Sequence, residues 1–458
     1  MTYRLPALVL LLLAVSASAL RAQGYGVYEQ GACEAGRAGA GVAAPCADGS
    51  SIFFNPAGLA FESGTLLDVG GSLILPRGTF TGDMPGVFSR LSEKTYFAPA
   101  VYYRRNLPRR ASFGVGLFAP YGLTTDWPTE SVGRFLGYKS LVESIYLQPT
   151  VAFRVSDRVA VGAGLDITYL RVQLRRRADL STQPLPGAPN LSFASLGVPA
   201  GTDFADLNLT GHAFHAGFHA GVLVKPRDRV SFGARFLSGQ RIDIDDGTLE
   251  TTQIATGLVT PAPLPGIPAG TPLDALIASA FAPGAPLSTN QRASTSVPLP
   301  AQFVAGVAVD VTSALRLLAD YQFTNWSAFN VLEINNELAP GNVIVEDFRD
   351  THGLRAGGEY KLSDRTTLRG GLVANTAAAP DQTVTPNLPE ADRLQIAAGL
   401  GQRLSNKLRL DLYYIHLFQD DRRGRTTDGG LAAPTTAVNN GLYEFHANLV
   451  GASVVLSF

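Results

Sequence analysis

Six short polar turns constrain what this chain can fold into. They fall at residues 106–110, 155–158, 225–228, 311–314, 362–365 and 404–407. Each turn joins two runs in which apolar and polar residues alternate, and a longer loop separates each such hairpin from the next. Short turns at one end of a sheet and long loops at the other are typical of bacterial outer-membrane β-barrels, whose turns face the periplasm.

The runs between the turns predict an all-β fold, a fourteen-stranded antiparallel transmembrane β-barrel. Six turns and two chain ends on the same side require an even number of strands, which agrees with this count. The predicted strands are 64–75, 96–106, 111–120, 141–154, 159–174, 204–224, 229–244, 294–310, 315–326, 347–361, 366–374, 391–403, 408–418 and 445–458.

The run that begins at Leu315 shows the alternation clearly. Leu315 and Leu317 share one face, and Arg316 and Asp320 share the other, because side chains on a strand repeat with period two. Lipid outside and a polar lumen explain why charges recur on one face only. A soluble β-sandwich also alternates, with its charged face in solvent, so the pattern favours a barrel and leaves the sandwich as the alternative.

The chain ends on an alternating strand whose last residue is aromatic. Val454, Leu456 and Phe458 lie on one face of this strand. Such an ending is typical of outer-membrane barrels, whose assembly machinery recognises it, so we expect Phe458 to contact that machinery.

Residues 1–22 have the pattern of a secretory signal peptide. Arg4 gives the positive start, an apolar run extends from Ala7 to Val15, and Ala-Ser-Ala at 17–19 fits a cleavage site, with 20–22 as a second option. An uncleaved anchor is the alternative, although the run is short for a span of about 20 residues. We therefore expect a mature chain that begins near Gln23 and resides in the outer membrane.

Residues 23–63 are rich in glycine and alanine and do not alternate like strands. The segment is too long to be an idle tail and too short to be a domain. We expect it to form a compact plug, here called the hatch, inside a barrel of residues 64–458.

Cys33 and Cys46 lie close together in the hatch. Export implies an oxidising compartment, which favours a disulfide between them. Two free thiols or a metal pair are the alternatives, but no nearby histidine or third cysteine completes a metal site.

No catalytic motif is present in the sequence. It has no Gly-x-Ser-x-Gly, no His-Glu-x-x-His and no phosphate loop, so neither an enzyme nor a cofactor is predicted. His215 and His219 share a strand face but lie about 13 Å apart, and His212 faces the other way. Metal ligands sit about 2 Å from zinc, so no metal site is predicted. The formal charge of −1 gives no reason to expect nucleic acid.

Several short motifs, in a fixed order along nearly the whole mature chain, resemble the FadL/TodX family of outer-membrane transporters for long-chain fatty acids and other hydrophobic compounds. Each motif is short, and the ordered set is fairly specific. The motifs are Asn55-Pro56-Ala57 in the Gly/Ala-rich hatch, 119–123 (Ala-Pro-Tyr-Gly-Leu), Gly133-Arg134, 145–152 (Ile-Tyr-Leu-Gln-Pro-Thr-Val-Ala), Leu299-Pro300, 325–327 (Asn-Trp-Ser) with Phe329, Pro389 with Asp392-Arg393, and 441–443 (Gly-Leu-Tyr).

The resemblance implies a monomeric barrel in which a ligand binds an apolar groove among the third and fourth long loops. The ligand then passes to a pocket near the hatch, where Asn55, Pro56 and Ala57 form the gate, and leaves sideways at a kinked third strand. The kink residues would be Gly114, Gly116 and Pro120, because glycine relaxes the backbone and proline lacks a ladder donor. Ordinary barrel packing explains the two glycines as well.

The long loops supply apolar residues for such a groove. In the fourth loop, Thr271 and Pro272 fit an N-cap and a first helical position, and the residues after them predict an amphipathic helix. Packing of the loop residues on one another is the alternative. The candidate groove residues are Leu191, Phe193, Leu196, Leu273, Leu276, Ile277 and Phe281.

The predicted function is passive, ligand-gated uptake of hydrophobic molecules, with outer-membrane lipid and a long-chain fatty acid or similar ligand as partners. One alternative is a general diffusion porin for small polar solutes, against which the plug argues. A second is a lipid hydrolase barrel, which would need a Ser/His pair at a lipid-facing site that the sequence does not place.

Overall fold

The computed structural model describes residues 24–185, 188–263, 266–338, 341–424 and 439–458. The predicted signal peptide, residues 1–22, lies outside the described residues. In the described part of the chain, no helix is both long and apolar enough to cross a membrane.

Fourteen antiparallel strands close into a barrel, which confirms the predicted count. β1 pairs with β2 on one side and with β14 on the other, so backbone donors and acceptors at the seam are paired as lipid requires. The strands are β1 (Thr65–Gly82), β2 (Tyr96–Leu107), β3 (Ala111–Phe118, continued by Gly122–Asp126), β4 (Lys139–Arg154), β5 (Val159–Asp179), β6 (Asp203–Arg227), β7 (Val230–Leu237, continued by Gln240–Gln253), β8 (Gln291–Leu299, continued by Gln302–Asp310), β9 (Leu315–Thr324), β10 (Thr351–Lys361), β11 (Thr366–Asn375), β12 (Arg393–Arg403), β13 (Leu408–Gln419) and β14 (Gly441–Ser457).

The six predicted turns connect β2 to β3, β4 to β5, β6 to β7, β8 to β9, β10 to β11 and β12 to β13. They all lie at one end of the barrel, called here the turn end. The long connections lie at the other end, called the loop end.

Three strands are interrupted: β7 and β8, which the sequence predicted as continuous runs, and β3, which was predicted to end at residue 120. β3 breaks at residues 119–121, β7 at 238–239 and β8 at 300–301. In β3 and β8 the break contains a proline, Pro120 or Pro300, which cannot donate to the ladder. β1, β5 and β7 also extend beyond their predicted ends, to Gly82, Asp179 and Gln253, because paired sheet continues into the long connections.

The faces of the strands follow the predicted alternation. On β9, Leu317 and Tyr321 are exposed on the outside, whereas Asp320 and Gln322 are buried inside. An apolar exterior and a polar interior are the arrangement that a lipid-embedded barrel requires.

Within the described residues, the remaining elements are short. The helices are α1 (Ala32–Ala35), α2 (Ser51–Phe54) and α3 (Leu273–Ile277). The 3₁₀ segments are Pro56–Phe61, Leu180–Thr182, Phe193–Leu196, Ala278–Phe281, Trp326–Ala328 and Asp381–Thr383, and the minor strands are Phe88–Arg90, Pro184–Leu185, Ala188–Ser192, Val331–Asn336, Asn342–Val345 and Arg422–Gly424.

Residues 24–64, which precede β1, fill the lumen, as a plug does. Ile52, Phe53 and Leu59 of the hatch are almost completely buried. Glycines in the barrel wall allow the hatch backbone to approach closely. A Cβ atom added at Gly233 of β7 would lie 1.9 Å from the Val42 carbonyl oxygen.

The same holds at two further strands of the barrel. A Cβ atom added at Gly357 of β10 or at Gly371 of β11 would lie 2.6 Å or 2.7 Å, respectively, from the backbone of Arg37. The wall is therefore shaped to the hatch backbone at glycine positions.

Candidate functional site

A disulfide joins Cys33 and Cys46, as predicted, with 6.3 Å between their Cα atoms. Both sulfur atoms are used in this bond, which overturns the alternative of two free thiols. The Glu34 carboxylate accepts a 2.6 Å hydrogen bond from the Cys46 N–H and pairs at 2.6 Å with Arg37. Burial raises the pKa of Glu34 to about 7, against the opposing effect of Arg37. The loop 33–46 is thus held by a covalent bond and by a buried ion pair.

Polar side chains of the lumen hold the hatch in place. Asp320 of β9 accepts hydrogen bonds of 2.7 Å and 2.9 Å from the N–H groups of Gly41 and Val42. The Arg235 guanidinium donates to the Phe53 carbonyl at 3.1 Å and lies over the Phe53 ring at 4.4 Å. Lumen charges therefore serve to seat the plug.

The turn Asn55-Pro56-Ala57 is buried between the hatch and the wall. The Asn55 Nδ2 donates to the carbonyls of Val42 at 2.7 Å and Val222 at 2.9 Å, and its Oδ1 accepts from the Ala57 N–H at 3.1 Å. Asn55 thereby caps the 3₁₀ segment that follows and ties it to β6. A Cβ atom added at Gly221 of β6 would lie 2.3 Å from Asn55 Oδ1.

The break in β3 is filled by the hatch. The Val27 N–H donates to the Pro120 carbonyl at 2.9 Å, and the Gly122 N–H donates to the Tyr25 carbonyl at 2.9 Å. The Gln30 side chain donates to the Ala119 carbonyl at 2.8 Å and accepts from the Ala119 N–H at 3.1 Å. Residues 25–30 thus take the place of a strand partner where β3 has lost its own.

The break opens a gap in the ladder between β2 and β3. Pairing of β2 with β3 ends at Ala100 and Phe118, and within the described sheet the continuation of β3 pairs with β4 alone. The gap ends where the Ser92 N–H donates to the Asp126 carbonyl at 2.7 Å, beside the Lys94–Asp126 ion pair.

The three predicted kink residues do not all lie at the break in β3. Pro120 lies in the break itself. Gly114 and Gly116 lie in the regular part of β3, where added Cβ atoms would lie 2.8 Å from Ile52 of the hatch and 3.0 Å from the Tyr102 ring. These glycines therefore make room for packing inside the barrel.

The predicted groove residues form a packed cluster at the loop end. Phe193, Leu273 and Ile277 are buried, and Leu196, Leu276 and Phe281 pack against them. Leu191 is exposed and lies outside this cluster. The helix starts at Leu273, one residue later than the sequence suggested, with Pro272 as the preceding residue.

An apolar cavity, called here the inner cavity, lies above the hatch with Tyr25 in its wall. The Tyr25 ring packs 4.5 Å from Trp326, between ring centroids, and its hydroxyl donates to the Pro298 carbonyl at 2.8 Å. The lining residues are Tyr25, Leu123, Ser140, Leu141, Val142, Val172, Gln173, Leu174, Leu209, Thr295, Val297, Phe329, Leu332, Ile344, Glu346, Asn387 and Leu388.

A second cavity, the outer cavity, adjoins the first toward the loop end. The two share Leu174, Leu209 and Ile344. Arg176 lines the outer cavity, and its guanidinium makes no ion pair with any described residue. The family resemblance implied a pocket near the hatch, but sequence reasoning did not predict the lining of either cavity. Phe329, which accompanies the Asn-Trp-Ser motif, and Leu123, in the motif 119–123, carried a signal, whereas the other lining residues come together through strand pairing.

The three histidines of β6 do not converge on one site. His219 is buried, with Nδ1 2.5 Å from Asp166 Oδ1 and Nε2 2.9 Å from the Thr150 hydroxyl. His212 and His215 are exposed. His219 thus belongs to a hydrogen-bonded group of the lumen wall.

Comparison with known proteins relates the chain to outer-membrane proteins over most of its length. It is 25% identical over 409 residues to the 47 kDa outer membrane protein of Pasteurella multocida (strain Pm70), covering 88% of this chain and 89% of that protein. It is 23% identical over 397 residues to the long-chain fatty acid transport protein of Escherichia coli O6:H1, covering 83% and 84%.

Solved structures share the fold. A Pseudomonas aeruginosa FadL homologue superposes with a TM-score of 0.81 at 22% identity, covering 95% of this chain and all of that one. The Ralstonia pickettii toluene transporter TbuX superposes with a TM-score of 0.64 at 16% identity, covering 94% and 100%.

The family profile "Outer membrane protein transport protein (OMPP1/FadL/TodX)" matches residues 13–458. This is a family of transporters rather than enzymes. The chain therefore belongs to the FadL/TodX family of outer-membrane β-barrels that transport hydrophobic compounds.

Proposed function

We propose that this protein takes up hydrophobic molecules passively, by a ligand-gated route that leaves the barrel sideways. The ligand enters at the loop end and occupies the inner cavity. Residues 25–30 of the hatch then shift, and the ligand leaves through the gap between β2 and the continuation of β3. Its substrates are of the fatty acid or aromatic hydrocarbon kind.

One observation carries this proposal. The hatch segment that contributes Tyr25 to the cavity wall also bonds to β3 at the break, through Tyr25, Val27 and Gln30. A ligand that moves Tyr25 therefore acts on the same backbone that holds the gap. Burial of an apolar ligand contributes about 0.8 kcal/mol of free energy per CH₂ group. Lateral exit keeps such a ligand out of the polar lumen.

We further propose how the protein is exported, oriented and assembled in the membrane. The turn end faces the periplasm, as in outer-membrane barrels generally, and a cleaved signal peptide at residues 1–22 directs export. The mature protein comprises a hatch at 23–63 and a barrel at 64–458, works as a monomer in outer-membrane lipid, and is inserted by assembly machinery that contacts Phe458.

A disulfide that locks the hatch to β3 tests the route. An added Cβ atom at Gly122 would lie 3.6 Å from Cγ2 of Val27, so side chains at these two positions are in van der Waals contact. We expect the Val27→Cys/Gly122→Cys pair to stop uptake of radiolabelled dodecanoate into proteoliposomes when oxidised and to restore it when reduced.

The two single variants and the unaltered protein, each with and without reductant, are the controls, because the native disulfide is also reduced. Full uptake by the locked protein would overturn lateral gating by the hatch. A general diffusion porin would instead show steady conductance in planar bilayers, and a lumen filled by the hatch predicts none.

A further inference from the structure

The inner cavity contains a single carboxyl group and no cation among its described lining residues. Its neutral polar groups are largely engaged with the protein. Ser140 donates to the Asn387 Oδ1 at 2.9 Å, and the Tyr25 hydroxyl donates to Pro298. The charged group that faces a ligand here is Glu346.

Glu346 is fixed through its backbone while its side chain is left without a partner. It follows the strand Asn342–Val345, and its N–H donates to the Asn330 carbonyl at 2.8 Å. Its half-buried carboxyl makes no hydrogen bond or ion pair with the described residues. Burial among apolar side chains raises the pKa of this carboxyl to about 8. A carboxyl in such a position is available to a ligand head group.

The outer cavity has the opposite character. Arg176 is the charged residue in its described lining, and it also lacks an ionic partner. A ligand that moves along the shared wall of Leu174, Leu209 and Ile344 therefore passes from a cationic to an acidic surrounding.

We propose that Glu346 is a specificity-determining residue that makes the inner cavity prefer neutral or cationic head groups to carboxylates. This inference rests on the proposed function and names the head groups that the inner cavity prefers: apolar molecules with a hydroxyl or amine, such as long-chain alcohols, occupy it more readily than fatty acids do. A carboxylate would lose its hydration with no counter-ion to replace it, and would meet a like charge once Glu346 ionises. A fatty acid therefore keeps its head at Arg176.

Three probes that share the same alkyl tail and differ in their head group test this proposal. Dodecanoate, dodecanol and dodecylamine are measured by displacement of the fluorescent reporter 1-N-phenylnaphthylamine from the purified full-length protein at pH 9. The parent for the comparison is Arg176→Gln, which removes the outer cation so that only the inner head-group preference remains.

Adding Glu346→Gln to this parent should change the affinities for the carboxylate probe and the amine probe in opposite directions. We expect dodecanoate to bind about tenfold more tightly and dodecylamine about tenfold more weakly, as for a change of one pKa unit in the interaction, with dodecanol nearly unchanged. Glu333→Gln is the matched control, because Glu333 is exposed on the neighbouring strand Val331–Asn336 and does not line the cavity. It should alter none of the three.

The outcomes separate this inference from the function on which it rests. If all three probes shift together or none shifts while binding persists, selection by Glu346 is overturned and the uptake route stands. If no probe displaces the reporter from any variant, both are overturned.

Discussion

The Val27 N–H in the hatch lies 2.9 Å from the carbonyl oxygen of Pro120 in the break of β3. A plug and a transmembrane strand thus share a backbone hydrogen bond at the point where the strand has left its neighbour. In the proposed route, movement of this hatch segment and opening of the wall are therefore expected to occur together.

Replacing Gln30 by alanine should loosen this contact. The change removes two hydrogen bonds to the Ala119 backbone, each worth about 1 kcal/mol, and leaves the barrel ladder intact. We expect faster amide exchange at residues 119–122, measured by mass spectrometry, and faster uptake. Gln402→Ala is the control, because Gln402 bonds Thr366 at the turn end. Unchanged exchange at 119–122 would contradict a latch role for Gln30.

Gly221→Ala should unseat the turn Asn55-Pro56-Ala57. The new Cβ atom would lie 2.3 Å from Asn55 Oδ1, and overpacking of this kind costs about 1–3 kcal/mol. We expect the hatch to become sensitive to protease while the barrel resists. Gly370→Ala is the matched control on β11, since its Cβ atom would meet nothing closer than 3.7 Å. Equal protease resistance of the two variants would rule out the clash.

Removing the disulfide should affect the hatch core more than the gate. A cross-link that closes a loop of about 15 residues contributes roughly 3 kcal/mol in the chain-entropy description, and Cys33 and Cys46 are 13 residues apart. For Cys33→Ser/Cys46→Ser we expect faster amide exchange within 33–46 and an intact barrel. If exchange at Asn55–Ala57 rose equally, the disulfide would not stiffen the hatch separately from the gate.

Binding of dodecanoate to the Arg176→Gln parent should weaken as pH rises from 7 to 9. Burial raises the pKa of Glu346 to about 8, so this carboxyl is mostly neutral at pH 7 and mostly ionised at pH 9. Tyr25 is the other titratable group in the described cavity lining, and burial raises its pKa well above its ordinary value, so it stays neutral. The Arg176→Gln/Glu346→Gln variant should lose this pH dependence in the same displacement assay. If the affinity of that variant for dodecanoate fell by the same amount between pH 7 and 9, a group other than Glu346 would be responsible for the pH dependence.

The sequence predicted those features that repeat along the chain. Alternation and turn spacing predicted fourteen strands and which side chains face outward or inward. They could do so because the order of apolar and polar residues within each barrel strand reflects the surroundings of that strand. The breaks in β7 and β8 change the alternation of apolar and polar residues too little to be recognised in the sequence. Cys33 and Cys46 were recognised because both belong to one short segment.

The cavities could not be predicted in the same way. Glu346 follows a minor strand in a long connection, and nothing in its neighbours along the sequence places it beside Tyr25. Their proximity depends on strand pairing and on how the connection folds over the lumen. The apolar residues that did attract attention in the loops, such as Phe193 and Ile277, are buried against one another.

The wall glycines at 233, 357 and 371 have a consequence for protein engineering. Because they match the path of the hatch backbone at Val42 and Arg37, hatch and barrel are not interchangeable modules. A hatch transplanted from a relative fits this barrel only where its main chain follows the same course, and a library that varies one partner has to vary the other with it.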